Sequence, residues 1–286
     1  MRNLNKAVIV PKDLLNSVIL SKRGSNKTRM EAMRNDLEER YDEYCDKVDN
    51  NTLHLLSEKW HYDKDAIASD GYFLYHQYDN SKASMSDLRA KIIEANNGEI
   101  VLKCPICELR DATELDHYVP RQLFPEFSVH SYNLIPTCHE CNNNKSTAWC
   151  DSGKRVFFNA YYDMPTDELL FDISVLKENG ILRLVIALKN LTTPKESARI
   201  AISTIKSLDL IPYINQKLNE KFSQKLKETI LRRKYWKGTD EEFLKVEKDI
   251  LEETIREISD INNWERIVLL TIKDEQIVED WLKERF

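Results

Sequence analysis

The chain has 286 residues, of which 42% are hydrophobic and 31% charged, and its formal net charge at pH 7 is −6. These values indicate a helix-rich protein that can bury a core large enough for two domains, and the acidic balance argues against nucleic-acid binding by bulk electrostatic attraction. The apolar run before Pro11 is too short for a signal peptide, and no stretch could span a bilayer. We therefore predict a cytoplasmic protein without a membrane partner.

Residues 1–99 are predicted to form a helical N-terminal region. Apolar side chains recur there at helical spacing, in particular at Met30, Met33, Leu37 and Tyr41. A further short helix is expected at residues 84–94, and a turn at residues 96–98 leads to the next part of the chain. This region is a candidate for docking a partner protein.

The segment at residues 70–80, DGYFLYHQYDN, is rich in aromatic residues and bounded by turn-forming residues. Contact with an apolar core is the favoured interpretation of aromatic side chains beside a helix. Base stacking and partner docking are the alternatives, since every nucleobase has a face on which an aromatic ring can stack.

Two C-x-x-C pairs follow, and their members are Cys104, Cys107, Cys138 and Cys141. This spacing lets both thiolates of a pair reach one tetrahedral Zn²⁺ ion, and a reducing compartment favours zinc over the alternative of disulfides. We predict a structural zinc site. Because four cysteines complete it, His139 is expected to be an exposed residue at a helix start, and Cys45 and Cys150 to remain unpaired thiols.

The stretch between the two cysteine pairs predicts a strand, a long loop, a second strand and a helix. Residues 113–116 alternate without a breaker, and Pro120 and Pro125 then interrupt the pattern. A second apolar run starts at Leu134, and residues 139–149 contain no Gly or Pro and can continue as a helix. Bound zinc would bring the two ends of this stretch together.

These residues resemble the HNH nuclease family, whose core is a ββα-metal module. The matching positions are Asp116-His117, the N-L-x-P-x-C run at residues 133–138 and the C-N-x-x-K run at residues 141–145. The resemblance covers about residues 100–165. It implies that Asp116 and Asn142 bind a catalytic metal ion and that Asn133 orients His117.

The residue types also suit the chemistry of such an enzyme. Phosphodiester hydrolysis needs an activated water, a cation that stabilises charge on the phosphate, and a group that holds the base in place. His117 is the candidate general base because imidazole titrates near neutrality. A His-Asp pair by itself is more often a surface hydrogen bond, so the catalytic interpretation depends on the surrounding cysteines and asparagines.

Asp116 and Asn142 offer one anionic and one neutral oxygen, which suit Mg²⁺ or Mn²⁺ as the catalytic ion. Asn143 and Asn144 are neighbouring candidates for the role of Asn142. The expected phosphate contacts are Lys145 and Arg121. Residues 101–160 carry six basic and seven acidic side chains, a net charge of −1. Attraction to nucleic acid must therefore come from a local patch, a bound metal ion or a partner.

A β-hairpin is predicted after this stretch, with its turn at Asn179-Gly180, a favoured dipeptide for two-residue turns. Together with the zinc site it is assigned to a module that spans residues 100–191. The remaining residues, 192–286, are predicted to form a C-terminal helical region.

Two helix-start signatures occur in this C-terminal region. Thr193 combines a cap with Pro194 at the first helical position, and Thr239 forms a capping box with Glu242. A basic and aromatic patch at residues 225–237 is either a solvated helix face or a contact for nucleic acid.

We therefore expect an α+β protein with a small ββα-metal (HNH) module and a zinc knuckle, flanked by helical regions. The predicted function is a metal-dependent endonuclease, with DNA favoured over RNA. An HNH core behind a helical N-terminus also resembles nuclease subunits of bacterial anti-phage systems such as Septu, which implies a defence effector that acts with an ATPase partner. The sequence has no Gly-rich phosphate loop of its own. The alternatives are a non-catalytic zinc-stapled module that binds nucleic acid or protein, and a sequence-specific restriction endonuclease.

Overall fold

The computed structural model describes residues 1–96 and 102–286, so most of the turn expected at residues 96–98 lies outside the described residues. The chain divides into two compact units, the N-terminal unit (Arg2–Met164) and the C-terminal unit (Pro165–Phe286, with Met1). This division does not coincide with the boundaries predicted after residues 99 and 191. The N-terminal helices share a unit with the cysteine-rich stretch, and the hairpin belongs with the C-terminal helices.

The N-terminal unit combines helices with short strands. In chain order its elements are α1 (Pro11–Ser21), α2 (Gly24–Ala32), α3 (Arg34–Asp49), a 3-10 turn (Leu53–Leu55), α4 (Asp70–Tyr75), α5 (Lys82–Ala95), β1 (Glu114–His117), two further 3-10 turns (Pro125–Phe127 and Ser131–Asn133), β2 (Leu134–Thr137), α6 (His139–Lys145), β3 (Cys150–Asp151) and β4 (Lys154–Arg155). β1 pairs with β2 and β3 with β4, both antiparallel. The predicted order of strand, loop, strand and helix is therefore present, although the helix ends at Lys145 rather than near Trp149.

Helix α3 packs its buried face against the loop between β1 and β2. This loop, residues 118–133, is called the β1–β2 loop below. The buried side chains of α3 recur at the spacing of one helix face and are Leu37, Arg40, Tyr41 and Tyr44. Two of these rings enclose His130 of the loop, with centroid distances of 4.5 Å from Tyr41 and 4.3 Å from Tyr44. His130 is fully buried, which its position in a loop did not indicate.

A buried ion pair ties the same loop to α3. The Arg40 guanidinium donates from Nε and Nη2 to one carboxylate oxygen of Glu126, at 3.0 and 2.8 Å. Nη2 also donates to the Ser57 carbonyl at 2.7 Å. On the other side of the loop, the Ser128 hydroxyl donates to the Leu74 carbonyl at the end of α4, at 2.6 Å. The N-terminal helices therefore hold the β1–β2 loop in position.

The C-terminal unit consists of a hairpin and helices. Its elements are β5 (Phe171–Glu178), β6 (Ile181–Leu188), α7 (Glu196–Ser207), α8 (Leu210–Tyr235), α9 (Asp240–Glu257), α10 (Trp264–Asp274) and α11 (Gln276–Lys283). The predicted Asn179-Gly180 turn is confirmed, since both residues have positive φ, 51° and 75°, as a type I′ turn requires.

Two asparagines of α8 cover the outer edge of β6. Asn215 accepts from the Ile186 N–H at 2.8 Å and donates back to the Ile186 carbonyl at 2.8 Å. Asn219 does the same with Leu184, at 2.9 and 2.7 Å. The two side-chain amides thus replace the hydrogen bonds of a neighbouring strand, which protects an otherwise open sheet edge. This contact explains why the hairpin belongs with the C-terminal helices.

The two predicted helix starts have different outcomes. The capping box of Thr239 and Glu242 is confirmed at the start of α9. The start predicted at Thr193 is wrong, because α7 begins at Glu196 and its N-cap residue, Lys195, makes no side-chain cap. The Lys195 N–H instead donates to the Glu168 carboxylate at 2.7 Å, so a neighbouring loop satisfies a backbone donor at this helix end.

In the basic patch at residues 225–237, Arg232 donates to the carboxylate of Glu247 and Arg233 to that of Asp240. Tyr235 is 80% exposed. A role of this patch in nucleic-acid contact stays a prediction. Within residues 1–96 and 102–286, no helix combines the length and apolar character needed to cross a bilayer.

Replacing Arg40 by Met is expected to lower the free energy of unfolding by about 3 kcal/mol, because the Glu126 carboxylate would stay buried without its counterion. The Arg40→Met/Glu126→Gln double variant should recover part of this loss, since the second change removes the uncompensated charge. Unfolding in urea, followed by circular dichroism, measures both.

The matched control is Lys12→Met. The Lys12–Asp42 ion pair also joins two helices of the N-terminal unit, but its side chains are 43% and 62% exposed, against 7% and 0% for Arg40 and Glu126. An exposed pair contributes about 0–1 kcal/mol. Equal destabilisation by Lys12→Met and Arg40→Met would contradict the structural role of the buried pair.

Candidate metal centre and active site

Four buried cysteine side chains converge on one small volume in the N-terminal unit. Their ligand atoms, the Sγ atoms of Cys104, Cys107, Cys138 and Cys141, all lie within 4.8 Å of one another. The Sγ atoms of Cys107 and Cys138 are 3.9 Å apart. Tetrahedral zinc with Zn–S bonds of about 2.3 Å holds its sulfurs about 3.8 Å apart, so this cluster could bind zinc. Cys45 and Cys150 are half-buried free thiols, as predicted.

Local backbone structure places each pair of cysteines. The Glu108 N–H donates to the Cys104 carbonyl at 2.8 Å, and Glu108 has a φ of 57°, so the chain turns sharply around the first pair. Cys138 is the N-cap residue of α6, and its sulfur accepts from the Cys141 N–H at 3.5 Å. Hydrogen bonds among the thiols, those with Cys104 foremost, lower the pKa of Cys107 and raise that of Cys141.

A polar cavity of about 260 Å³ lies beside β1 and α6. Its lining contains four of the predicted site residues together with neighbours from the same elements: Glu114, Asp116, His117, Pro120, Arg121, Gln122, His139, Asn142, Asn143 and Ser146. Asn133, Lys145 and Asn144 are not among the lining residues that the structure describes. His117 thus borders a polar cavity, which is the candidate active site.

The His117 ring is held in one tautomer. Its Nε2 lies 2.9 Å from the Ser128 carbonyl oxygen, and because a carbonyl only accepts hydrogen bonds, Nε2 must carry the proton. Burial, followed by the charge of Arg121, lowers the pKa of His117 to about 3, so the ring is neutral near pH 7. Nδ1 then carries a lone pair, and it makes no hydrogen bond to the residues described. Nδ1 is therefore the free acceptor of the ring, but a pKa of about 3 makes it a weaker base than the near-neutral imidazole assumed from the sequence.

Asn133 acts on the β1–β2 loop rather than on His117 itself. It is fully buried, and its amide accepts from the Val119 N–H at 2.7 Å and donates to the carbonyls of Val119 and Phe127 at 3.0 and 3.2 Å. Phe127 immediately precedes Ser128, whose carbonyl holds the His117 ring. Asn133 could therefore orient His117 indirectly, by fixing the loop backbone that carries the Ser128 carbonyl. This role stays a prediction.

Asp116, in the lining of the cavity, forms a buried ion pair with Lys145. Lys145 Nζ lies 3.1 Å from the Asp116 carboxylate and donates to the His117 carbonyl at 2.8 Å. Burial raises the pKa of Asp116, and the Lys145 ammonium opposes this shift. The ammonium expected to contact phosphate is therefore engaged by the carboxylate expected to bind metal. For Asp116 to bind a divalent cation and Lys145 to contact a phosphate, this ion pair must first separate.

Glu114 belongs to the site but was missed in the sequence. Its carboxylate accepts from Asn142 Nδ2 at 2.7 Å and lies 2.7 Å from His139 Nδ1. Because Asn142 donates through Nδ2, its side-chain carbonyl oxygen takes no part in this hydrogen bond and can serve as a metal ligand. The available signal was strand alternation, since Glu114 lies two residues before Asp116 and side chains at this spacing share one face of a strand.

His139 occupies the position predicted for it. It is the first residue of α6, exposed, and outside the cysteine cluster. The hydrogen bond to Glu114 raises the pKa of His139.

Arg121 lines the cavity and is anchored outside it. Its Nη1 donates to the Asp79 carboxylate at 2.9 Å and to the Tyr75 carbonyl at 3.2 Å. Its guanidinium carbon lies 4.3 Å from the centre of the Tyr75 ring. The predicted phosphate contact therefore comes from a cation that the aromatic segment at residues 70–80 holds in place.

Comparisons with known proteins give partial matches. No protein-family model matches the chain, and no solved structure matches it. The chain is 29% identical over 94 residues to the Septu protein PtuB of Bacillus thuringiensis, covering 32% of this chain and 36% of that protein. It is 44% identical over 41 residues to protein ea31 of Escherichia phage lambda, covering 14% of each. The chain thus spans well under half the length of the curated relatives it matches.

The Cys138→Ser variant is expected to lose most of its zinc and to melt at a lower temperature, because three sulfurs hold a tetrahedral ion less firmly than four and the start of α6 depends on Cys138. Elemental analysis of the purified protein should find about one zinc per wild-type chain. Cys45→Ser is the control, since this thiol lies outside the cluster. Equal zinc content in wild type and Cys138→Ser would exclude the cluster as the metal site.

Proposed function

We propose that this chain is a metal-dependent endonuclease of the HNH type, with β1, β2 and α6 as its ββα-metal module. The observation that carries the proposal is the hydrogen bond between His117 Nε2 and the Ser128 carbonyl, which leaves Nδ1 as the proton acceptor in a cavity that also contains Asp116 and Asn142. A general base beside oxygen ligands for a divalent cation suits metal-assisted phosphodiester hydrolysis.

In the proposed reaction, His117 Nδ1 removes a proton from a water molecule as the water oxygen attacks phosphorus. A new P–O bond forms to this oxygen while the P–O bond to the leaving sugar oxygen breaks, and the leaving oxygen keeps the electron pair and takes a proton from solvent. The Ser128 carbonyl keeps the ring oriented and stabilises the imidazolium that forms, since its Nε2–H donates a stronger hydrogen bond once the ring is charged. Arg121, which lines the cavity and whose Nη1 is paired with Asp79, is the proposed contact for a phosphate oxygen.

Asp116 and Asn142 are the proposed ligands of the catalytic ion, for which Mg²⁺ or Mn²⁺ fits the oxygen donors. When bound, such an ion stabilises the negative charge on the phosphate and the leaving oxygen. Glu114 keeps the Asn142 amide oriented through the 2.7 Å hydrogen bond from Nδ2. The zinc proposed at the four cysteines has a structural role, because all four positions of a tetrahedral ion are filled by protein.

The distant similarity to the Septu protein PtuB suggests a role in anti-phage defence. We propose DNA as the substrate and an ATPase as the protein partner. A partner would also explain how a chain with a net charge of −6 is brought to nucleic acid, since its own charge provides no general attraction.

His117→Ala is expected to lower the rate of plasmid cleavage by at least about 100-fold, because general acid–base groups typically contribute this much. Cleavage is measured on agarose gels with Mg²⁺ or Mn²⁺, with and without the candidate ATPase. The control His54→Ala changes a histidine of the 3-10 turn at Leu53–Leu55 and should leave the rate unchanged.

Equal cleavage by wild type and His117→Ala would reject the catalytic assignment. Nucleic-acid binding with no cleavage under any of these conditions would favour the non-catalytic module. Cuts at one fixed sequence would instead identify a restriction endonuclease.

Glu114→Ala is expected to raise the Mn²⁺ concentration needed for half-maximal cleavage by about tenfold, the usual effect of removing a residue that orients a metal ligand. Glu114→Gln keeps an oxygen that can accept from Asn142 and should show a smaller shift. Glu140→Ala, an exposed change on the same end of α6, is the control. A metal dependence of Glu114→Ala identical to wild type would show that Asn142 does not need Glu114.

A further inference from the structure

Three tyrosine rings stack beside the candidate active site and are called the tyrosine stack: Tyr62, Tyr72 and Tyr75. The rings of Tyr62 and Tyr75 are 3.9 Å apart at their centroids and inclined by 16°, and those of Tyr62 and Tyr72 are 6.1 Å apart and inclined by 24°. All three side chains are half-buried, so parts of their surfaces face solvent. The aromatic segment at residues 70–80 is thus not simply core.

Close backbone packing holds Tyr62 in this stack. A Cβ atom at Gly71 would lie 1.8 Å from the His61 carbonyl oxygen and 2.5 Å from its carbon, so only glycine admits the chain at His61-Tyr62. Gly71 lies in α4, where glycine is less favourable than alanine. The helix therefore contains an unfavourable residue at the one point where Tyr62 must approach it.

The tyrosine stack continues into the cavity through Arg121. The Arg121 guanidinium lies 4.3 Å from the Tyr75 ring centre and 5.3 Å from that of Tyr78. The Tyr78 ring in turn contacts His117 edge-on, at a centroid distance of 4.8 Å. A chain of contacts through aromatic rings and the Arg121 guanidinium thus runs from Tyr62 to the wall of the cavity that contains the proposed general base.

The charges around the tyrosine stack are largely balanced or acidic. Arg121 is paired with Asp79, and Arg29 with Asp70 at 2.6 Å. Asp63 and Asp65, next to Tyr62, are exposed and form no ion pair with the described residues. Lys64 lies between these two carboxylates in the chain, so the surface has no surplus of positive charge, and a nucleic acid is expected to bind here through flat, uncharged faces rather than through its phosphates. Nucleobases have such faces, and stacking on aromatic side chains is the general mode by which single strands are bound.

We propose that the tyrosine stack binds unpaired nucleobases of the strand whose phosphate enters the cavity, so that the preferred substrate is single-stranded or locally unpaired nucleic acid. This inference rests on the proposed nuclease function. Base pairing within a duplex covers the edges of the bases, and their stacking on one another covers the faces that the tyrosines would contact. The stack therefore selects for strand ends, loops or opened segments.

The test is fluorescence anisotropy with the full chain, a labelled oligothymidylate and a labelled duplex of equal length, with Ca²⁺ in place of Mg²⁺ to prevent cleavage. Tyr62→Leu is expected to weaken binding of the single strand about tenfold, the effect of losing one stacked base, and to leave duplex binding unchanged. Tyr62→Trp keeps a flat ring and should bind within about twofold of wild type. Gly71→Ala retains every ring but displaces Tyr62, and should resemble Tyr62→Leu.

Tyr213→Leu, which removes a half-buried tyrosine of α8 outside the basic patch at residues 225–237, is the control and should bind both ligands as wild type does. Unchanged single-strand affinity in Tyr62→Leu, or equal losses on single strand and duplex, would overturn the inference. If His117→Ala nevertheless abolishes cleavage, the nuclease proposal survives this result. A wild-type chain that neither binds nor cleaves nucleic acid would reject both.

Discussion

The convergence of four cysteine sulfurs is the constraint on which the candidate site depends. Cys104 and Cys107 precede β1, whereas Cys138 caps α6 and Cys141 lies within it. Helix α6 has only seven residues, too few to be stable alone, so its direction depends on tertiary contacts. The cluster anchors its first turn near β1 and thereby brings Asn142 to the Glu114 carboxylate, although the two residues are 28 positions apart.

The N-terminal helices are part of the site's support rather than an appendage. Helix α3 holds the β1–β2 loop through the Arg40–Glu126 ion pair, and α4 holds Ser128 through the Leu74 carbonyl. The His117 ring takes its orientation from the main chain of the same residue, Ser128. A change in α3 or α4 can therefore alter the imidazole without touching it. This coupling offers a route by which a bound partner could act on the site.

The basic groups near the cavity do little to offset the acidic net charge, because each is paired with a carboxylate. Lys145 is buried on Asp116, and Arg121 is fixed between Asp79 and the Tyr75 ring. Neither group provides a long-range field, because the charge of each is offset by its carboxylate partner. A cavity of this kind requires another feature to collect its substrate. The tyrosine stack and a partner protein are the two proposed here.

The amino-acid sequence by itself determined those features whose cause is local. The two C-x-x-C pairs indicated a four-sulfur cluster, Asn179-Gly180 indicated a hairpin turn, and Thr239 with Glu242 indicated a helix start, because a few adjacent residues suffice for each. Only the tertiary structure decided which distant groups meet. It showed that Asn142 donates a hydrogen bond to Glu114 and that Lys145 forms a buried ion pair with Asp116. It also showed that the hairpin belongs with the C-terminal helices. These contacts join residues far apart in the chain, and their partners are selected by packing and by the need to satisfy buried polar groups, which no local pattern encodes.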